Sequence, residues 1–220
     1  YIAKGYPTYG VTTNFGDSCD NQISLEKVNE LQHVIVTYHG IGLGQKLSHD
    51  EGRAVVLCRL NGNVKGGHSA IRLELAQFME KLLEKDIIPV IPELGSVGAS
   101  GDLTPLSYLA AVMYGERDVY YKGAIVPSNE ALQAEGLKPL PLEAKEGLAI
   151  MNGTSVMTAI ASLAWKKAER LSNISDFLTA ATCEIMHGQD VPFQRKVSEI
   201  KNHPGQIESA EHIYQIVSTS

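Results

Sequence analysis

The longest uninterrupted helical pattern of the chain lies between Leu142 and His187, a stretch that contains no proline. Apolar residues recur there at spacings of three and four almost throughout, which predicts one or two very long helices. Many of the remaining positions are small and apolar, among them Ala159, Ala164 and Ala180. A helix that is apolar on most of its faces needs other helices on several sides. We therefore expect a mainly α protein whose long helices enter a multi-helix bundle and are covered by self-association, by further chain, or by both.

The part before this stretch predicts a region of loops and shorter helices with one small β-hairpin, Val119–Val126, turning at Lys122-Gly123. Four helix signals follow in chain order. Ser24 predicts the cap of a helix that ends near Gly40, and an S-x-x-E capping box at Ser48–Glu51 opens a second helix, after which Asn61, Gly62, Gly66 and Gly67 break the chain. An amphipathic helix is predicted at Ser69–Lys85, and Thr104-Pro105 predicts the start of an apolar helix that stops at Gly115. We divide the chain into residues 1–141 and residues 142–220, the second being the start of the helical bundle.

Composition excludes several classes of partner. The net charge is −6 and no basic cluster occurs, which argues against nucleic acid and against an anionic membrane surface. We find no apolar run that approaches the roughly 18 to 20 residues of a membrane span, and no leader sequence, so we expect no membrane insertion and no signal peptide. The cysteines Cys19, Cys58 and Cys183 are odd in number and far apart, which favours reduced thiols in a cytoplasmic protein. The scattered histidines predict no metal site.

The segment most informative about chemistry is Gly95–Leu106, with the sequence GSVGASGDLTPL. By its residue types it is a loop of small residues that runs into a capped helix, and a tight connector would look the same. A phosphate-binding loop would need a Gly-Lys-Ser/Thr ending, and a dinucleotide loop would need G-x-G-x-x-G after a strand. Neither pattern is present, and few strands alternate with helices, so a phosphate-binding α/β protein is excluded.

This segment resembles the signature of the aromatic amino acid ammonia-lyases and aminomutases, and two further stretches resemble the same family in the same order. Tyr9–Gly16 is similar to the family's Tyr-Gly-x-x-Thr-x-Phe-Gly loop, and Glu146–Thr154 is similar to its Glu-Gly-Leu-Ala-x-x-Asn-Gly-Thr block. Arg59-Leu60-Asn61 and Tyr121-Lys122-Gly123 also fall where family members have similar residues. The order and spacing hold over nearly the whole chain.

The resemblance implies an electrophile built from the backbone. Ala99, Ser100 and Gly101 would cyclise, with loss of two waters, to a 4-methylidene-imidazol-5-one, and no external cofactor would be needed. The nitrogen of Gly101 would attack the carbonyl of Ala99, and Ser100 would lose its hydroxyl to become the exocyclic methylene. Glycines around the triplet would permit the compressed backbone that this closure requires. The region 1–141 would then be the part that bears the prosthetic group.

The resemblance also assigns roles to single residues. Tyr9 would remove the β proton of the substrate, and because a tyrosine ordinarily ionises near pH 10 it would need nearby donors or a helix terminus. Asn152 would contact the ring, with Gly16 and Phe15 as supporting residues of the tyrosine loop. Asp102 would either cap the following helix or support ring formation, and the sequence does not separate the two. From residue type alone, Tyr9 could be a surface aromatic and Asn152 a helix cap.

The substrate class follows from Tyr38-His39, which lies where family members line the pocket for the substrate side chain. The His at the second position resembles histidine lyases, so the resemblance points to elimination of ammonia from histidine to give urocanate. The residue before that His is usually small in those enzymes, whereas here it is Tyr38. A tyrosine or phenylalanine ammonia-lyase, or an aminomutase, therefore stays open, and a histidine at the end of an apolar helix can also be structural.

Family members are more than twice this length and act as homotetramers whose active sites are shared among subunits. Their substrate-carboxylate arginine, a second tyrosine and a glutamate lie in the part that would follow residue 220. The competing hypothesis is a catalytically incomplete fragment, which keeps the loop and the helices and never cyclises.

Overall fold

The structure, a computed structural model, describes residues 2–219 as a mainly α fold with two small sheets, which confirms the predicted fold class. The helices are α1 Val28–His39, α2 His49–Gly66, α3 Leu73–Glu84, α4 Leu103–Met113, α5 Ser128–Ala134, α6 Glu146–Met151, α7 Ser155–Ile185, α8 Arg195–Glu199 and α9 Pro204–Val217. The chain forms two compact units that divide between Ala161 and Ser162, inside α7. The predicted division into residues 1–141 and 142–220, with the second part as the start of a helical bundle, stays a prediction.

The strands form two antiparallel sheets. β1 Leu43–Lys46 pairs with β3 Pro92–Leu94, and the other sheet has the order β2-β4-β5, made by Ile88–Pro89, Asp118–Tyr121 and Ala124–Pro127. β4 and β5 are the predicted hairpin, with Val119 opposite Val126. The segment from Ile88 to Leu94 supplies β2 and β3, one to each sheet. Their partner strands lie tens of residues away in the sequence, and such pairing leaves no local signal.

The core of the first unit is built around α4. Its residues Thr104–Met113 are all buried, and α4 contacts α1 on one side and α6 on another. A helix that is apolar around its whole circumference is stable in water only inside such a cluster. Because α4 is held at the centre, the loop 95–102 that enters it is fixed at a defined place beside α1 and α6.

Two helix boundaries confirm the local signals. The capping box is present: Ser48 Oγ accepts a hydrogen bond from the Glu51 N–H at 3.3 Å, and Glu51 Oε2 accepts one from the Ser48 N–H at 2.7 Å. Gly40 ends α1 as predicted, and its N–H donates to the carbonyl of Thr37. Such signals act over three or four residues and can therefore be read from sequence.

Other predicted boundaries hold in part. A 3-10 turn, Leu25–Lys27, begins directly after Ser24 and leads into α1 at Val28, but the Ser24 side chain makes no cap hydrogen bond. α2 continues through Asn61 and Gly62, because its buried face continues to Asn63, and it ends at Gly66 with Gly67 as its left-handed C-cap, so only the last two of the four predicted breakers are confirmed. α3 begins at Leu73 rather than near Ser69, since Ala70 has a left-handed φ of 56°.

The long proline-free stretch forms helices as predicted, α6 followed by the long α7, with a break at residues 152–154. By length and composition alone the stretch Glu146–Ile185 could cross a membrane. This corrects the expectation that no apolar run is long enough. The core helix of a soluble protein passes the same test, so the finding is weak evidence for a membrane span.

The second unit contains the rest of α7, a turn of 3-10 helix at Val191–Phe193, α8 and α9. Asp176 on α7 is buried and accepts a hydrogen bond from Ser209 Oγ of α9 at 2.5 Å. Large apolar side chains of α7 are exposed in this unit: Trp165, Leu171, Ile174, Phe177, Leu178 and Ile185. The covering of these faces by other helices stays a prediction.

A buried ion pair holds the start of α6. The Glu146 side chain is 1% exposed, and its carboxylate accepts from Arg72 Nε at 3.0 Å and from Arg72 Nη2 at 2.8 Å. The backbone N–H groups of Arg72 and Glu143 also donate to it. Burial is the largest single influence and would raise the pKa of the Glu146 carboxyl, but the hydrogen bonds from Arg72 and Glu143 and the charge of Arg72 together outweigh it and hold that pKa below its ordinary value of 4.5.

We expect Arg72→Met to lower the free energy of unfolding by about 3 kcal/mol at pH 7, because it leaves a buried carboxylate without its cation. A depressed pKa means that the stabilisation is present above the ordinary value of 4.5 and is lost as pH falls through the folded-state pKa. The difference between wild type and variant should therefore shrink on acidification. Urea unfolding between pH 7 and pH 3 measures this.

The matched control is Arg53→Met, which removes an exposed pair with Asp86 and should lower the free energy of unfolding by no more than about 1 kcal/mol. A difference that does not change with pH would contradict the assignment.

Candidate active site

A cleft of about 550 Å³ in the first unit brings together residues from four separate parts of the chain. It is lined by predicted site residues from each part: Tyr9, Phe15, Gly16, Tyr38, His39, Ala99, Ser100, Gly101 and Asn152. Apolar side chains complete the wall, including Ile35, Ile41, Val97, Leu103 and Leu148. Asp102 is the predicted site residue that does not line the cleft. Residues separated by more than a hundred positions are thus neighbours here.

The Ala99-Ser100-Gly101 triplet has an unusual backbone. Ser100 has a φ of 65° and Gly101 a φ of 106°, in the region that favours glycine. A Cβ added to Gly101 would lie 2.6 Å from the backbone nitrogen of Gly153, so no side chain fits there. A left-handed non-glycine residue costs free energy and persists only where its surroundings enforce it. The contact between Gly101 and Gly153 supplies part of that enforcement.

Asn152 lies over the triplet. Its Nδ2 donates a hydrogen bond to the carbonyl oxygen of Ser100. The next residue, Gly153, accepts a hydrogen bond from the Asp102 N–H at 2.7 Å. The turn between α6 and α7 is therefore bonded to the loop on both sides of Gly101, and Asn152 is a donor aimed at the backbone of the triplet.

Asp102 does not cap α4 with its side chain, although it precedes that helix. Its Oδ2 instead accepts from the N–H groups of Val156 at 3.1 Å and Met157 at 3.0 Å, and its Oδ1 accepts from Ser96 Oγ at 2.8 Å. The first N–H groups of a helix have no partner within the helix, and the helix dipole favours an anion there. The carboxylate therefore caps α7, a helix that begins 53 residues later in the sequence.

The Tyr9 loop folds back on itself beside the triplet. Tyr9 Oη accepts a hydrogen bond from the Gly16 N–H at 3.0 Å, and the ring of Phe15 meets the Tyr9 ring edge-on, with centroids 6.1 Å apart. Gly10 has a φ of 67°, and a Cβ there would lie 2.5 Å from Leu148 Cδ1 of α6. The bond from Gly16 fixes the position of the Tyr9 oxygen in the cleft.

Gln32 is a residue that the sequence reasoning missed. It is completely buried on α1, its Nε2 donates to the carbonyl of Gly10 at 3.3 Å, and its Oε1 accepts from the Gly147 N–H at 3.0 Å. It thereby connects the Tyr9 loop to α6. A signal was present in the sequence, because Gln32 interrupts the apolar stripe of α1 between Val28 and Val36 at helical spacing. A buried amide is tolerated where its hydrogen bonds are made.

Tyr38 and His39 lie side by side at the end of α1, with ring centroids 4.4 Å apart. His39 Nδ1 is 2.9 Å from the carbonyl oxygen of Ile35, which assigns the proton to Nδ1 and leaves Nε2 as an acceptor in the neutral ring. Burial raises the pKa of the Tyr38 hydroxyl, and the nearby Tyr9 raises it further. Tyr38 is still 49% exposed, so it lines an open side of the cleft.

We expect Asp102→Ala to lower the free energy of unfolding by about 2 kcal/mol, because two N–H groups at the start of α7 lose their acceptor. Asp102→Asn should cost about half as much, since the amide oxygen still accepts. The matched control is Ser96→Ala, which leaves both α7 N–H groups capped and removes the partner of Oδ1 together with the exposed bond that Ser96 Oγ accepts from the Gly98 N–H; it should cost less than about 1 kcal/mol. Urea denaturation of the variants checks the order. Equal stability of Asp102→Ala and wild type would contradict this role.

Comparison with known proteins gives one consistent family. The sequence profile of the family described as aromatic amino acid lyase matches residues 1–220. A histidine ammonia-lyase of Myxococcus xanthus is 41% identical over 97% of this chain, and one of Alkaliphilus oremlandii is 41% identical over 100% of it. The matched parts make up 42% and 43% of those relatives, so the chain spans less than half their length.

Solved structures agree with this result. A tyrosine aminomutase of Streptomyces globisporus matches with a TM-score of 0.91 and 38% identity, over 97% of this chain and 40% of that one. A histidine ammonia-lyase of Trypanosoma cruzi matches with a TM-score of 0.86 and 30% identity, over 96% of this chain and 41% of that one.

Proposed function

Because the chain belongs to the aromatic amino acid lyase family, we propose that it carries part of the active site of an ammonia-lyase, a carbon–nitrogen lyase that converts L-histidine to urocanate and ammonia. The observation that supports this most strongly is the convergence of Tyr9, His39, the Ala99-Ser100-Gly101 triplet and Asn152 on one cleft. The alternative of an inert connector loop gives no reason for these side chains to meet. The high identity to histidine ammonia-lyases supports histidine as the substrate.

We propose Ala99, Ser100 and Gly101 as the source of a methylidene-imidazolone prosthetic group. The triplet fits this group, since Ser100 is left-handed, Gly101 has no room for a side chain, and Asn152 donates to the carbonyl oxygen between them. When present, the group supplies an electrophile for the substrate amine. Asn152 would hold the Ser100 oxygen in place and stabilise charge that develops on it.

Tyr9 would act as the general base toward the β carbon of the substrate. Its oxygen already accepts the Gly16 N–H at 3.0 Å, and that bond would fix the position of the oxygen that removes the proton. The edge-on Phe15 restricts the orientation of the Tyr9 ring. Tyr9 is 53% exposed in this chain, so we expect other parts of the enzyme to exclude water there.

His39 would contact the side chain of the substrate. With Nδ1 donating to Ile35, its Nε2 is available as an acceptor for an imidazole N–H. The second candidate is a tyrosine or phenylalanine lyase or aminomutase. It is favoured by the bulky Tyr38 beside His39 and by the likeness to a tyrosine aminomutase.

For the whole protein we propose a soluble cytoplasmic homotetramer whose active sites are completed by residues of other subunits. The exposed apolar side chains of α7 would be covered in that assembly. Small-molecule amino acids would be its substrates, with no role for nucleic acid or membrane.

Ring formation is tested by the intact mass of the purified chain and a peptide map across Gly95–Leu106. We expect a loss equal to the mass of two water molecules, located at Ala99-Ser100-Gly101. Ser100→Ala is the matched control and should not show the two-water loss, because it has no hydroxyl from which to form the methylene. An unmodified wild-type chain would support the alternative of an incomplete fragment.

We expect Tyr9→Phe to lower the kcat of ammonia release by about 10²- to 10⁴-fold, the usual contribution of a general base. The measurement is release of the unsaturated acid by the purified protein, followed by ultraviolet absorbance. KM should change much less, because Phe keeps the ring that faces Phe15. Unchanged kcat in Tyr9→Phe would exclude Tyr9 as the base.

The same assay with histidine, tyrosine and phenylalanine separates the two candidates. Preference for histidine supports the main proposal, and preference for tyrosine or phenylalanine supports the second.

A further inference from the structure

We propose that Arg59 is the positioning residue that holds the Asn152-Gly153 turn against the Ala99-Ser100-Gly101 triplet and thereby sets the geometry for ring formation. The inference rests on the proposed function, because it assigns Arg59 to the closure of that triplet. Arg59 lies on α2 and is not one of the residues that line the cleft. It would act through the turn rather than by contact with a substrate.

The first support is the way in which Arg59 ends α6. The side chain is buried, and its Nε donates to the carbonyl oxygen of Ala149 at 3.1 Å, with a second donation from Nη2. In a continuing helix that oxygen would accept from the N–H of Gly153. Here the Gly153 N–H donates to Met151 instead, at 3.2 Å. The guanidinium therefore replaces the next helical hydrogen bond, and a cation at a helix C-terminus is favourable.

The second support is the contact between Arg59 and Gly153. A Cβ added to Gly153 would lie 1.9 Å from Arg59 Nη1, so the guanidinium lies directly against the Cα of that glycine. The backbone of Gly153 also contacts Gly101 and accepts from the Asp102 N–H at 2.7 Å. Gly153 is therefore in contact with both Arg59 and the residues at the end of the triplet, and a shift on one side would be transmitted to the other.

The third support is the lack of a competing role. Within residues 2–219, Arg59 makes no ion pair with a carboxylate, and burial lowers the pKa of its guanidinium. Burying a cation without a counter-charge is unfavourable, so a residue selected only for stability would be expected to be neutral. Its two donor groups converge on one carbonyl oxygen beside the turn, which fits a role in geometry.

The test compares Arg59→Met, Arg59→Lys and the control Arg53→Met in the purified chain. Arg53 is on the same helix and also donates to a backbone carbonyl, that of Leu83, which belongs neither to the triplet nor to the Asn152-Gly153 turn. The measured quantity is the fraction of chain that has lost two waters, determined by mass at fixed times after synthesis. We expect the rate of this loss in Arg59→Met to be lower than in wild type by a factor of about ten or more. Arg59→Lys should recover part of the rate, since an ammonium can still donate to Ala149. Arg53→Met should match wild type.

Hydrogen exchange of the Asp102 N–H, measured in a Ser100→Ala background that cannot form the methylene and whose intact mass shows no loss of water, gives a readout independent of the ring. We expect exchange to be about tenfold faster in Arg59→Met, while the Leu109 N–H at the centre of α4 keeps its wild-type rate. Ring formation at the wild-type rate in Arg59→Met would overturn the inference. So would unchanged exchange at Asp102, or equal acceleration at Leu109, because Arg59 would then stabilise the whole unit rather than the turn. A wild-type chain that never loses two waters would count against the proposed function, and the exchange experiment would still decide the inference.

Discussion

The contact between the Asn152-Gly153 turn and the loop 99–102 is the interaction on which the site depends. Gly101 has no space for a side chain because the backbone of Gly153 occupies it, and the Asp102 N–H bonds to the same residue at 2.7 Å. Asp102 then uses its carboxylate to cap α7, the helix that leaves this turn. The loop, the turn and the start of α7 are thus fixed by one set of bonds, and none of the three can move without breaking hydrogen bonds in a buried place.

The short helix α6 is stabilised at both ends by arginines from other parts of the chain. An isolated helix of this length would not be stable in water. Arg72 binds Glu146 at its first turn, and Arg59 binds Ala149 near its last. At the second residue of the helix, the Gly147 N–H donates to Gln32 of α1, which also bonds to the Tyr9 loop. The six residues of α6 therefore connect the proposed base to the proposed ring.

The part of the site present in this chain is open. Tyr9 and Tyr38 are each about half exposed, at 53% and 49%, although the proposed chemistry requires a site that excludes water. The relatives are more than twice as long as the matched segment. Under the proposed function, the cleft would be the wall that bears the electrophile, and other parts of the enzyme would add the groups that bind the substrate carboxylate.

The features readable from the sequence were those with short range. Interactions a few residues apart predicted the capping box at Ser48–Glu51, the hairpin turn at Lys122-Gly123 and the proline-free helices. The residues that line the cleft were predicted in a different way, through the resemblance of three motifs to a family. The partners of Asp102 could not be read in this way, because Val156 and Met157 are more than fifty positions away and nothing in the local sequence marks them. The same holds for Gln32 and Arg59, whose significance lies in contacts with distant backbone rather than in their own surroundings along the chain. Local interactions along the sequence determined where helices and turns form. Packing around the buried α4 determined which helix ends and loops come into contact, because those contacts join residues that are distant in the sequence.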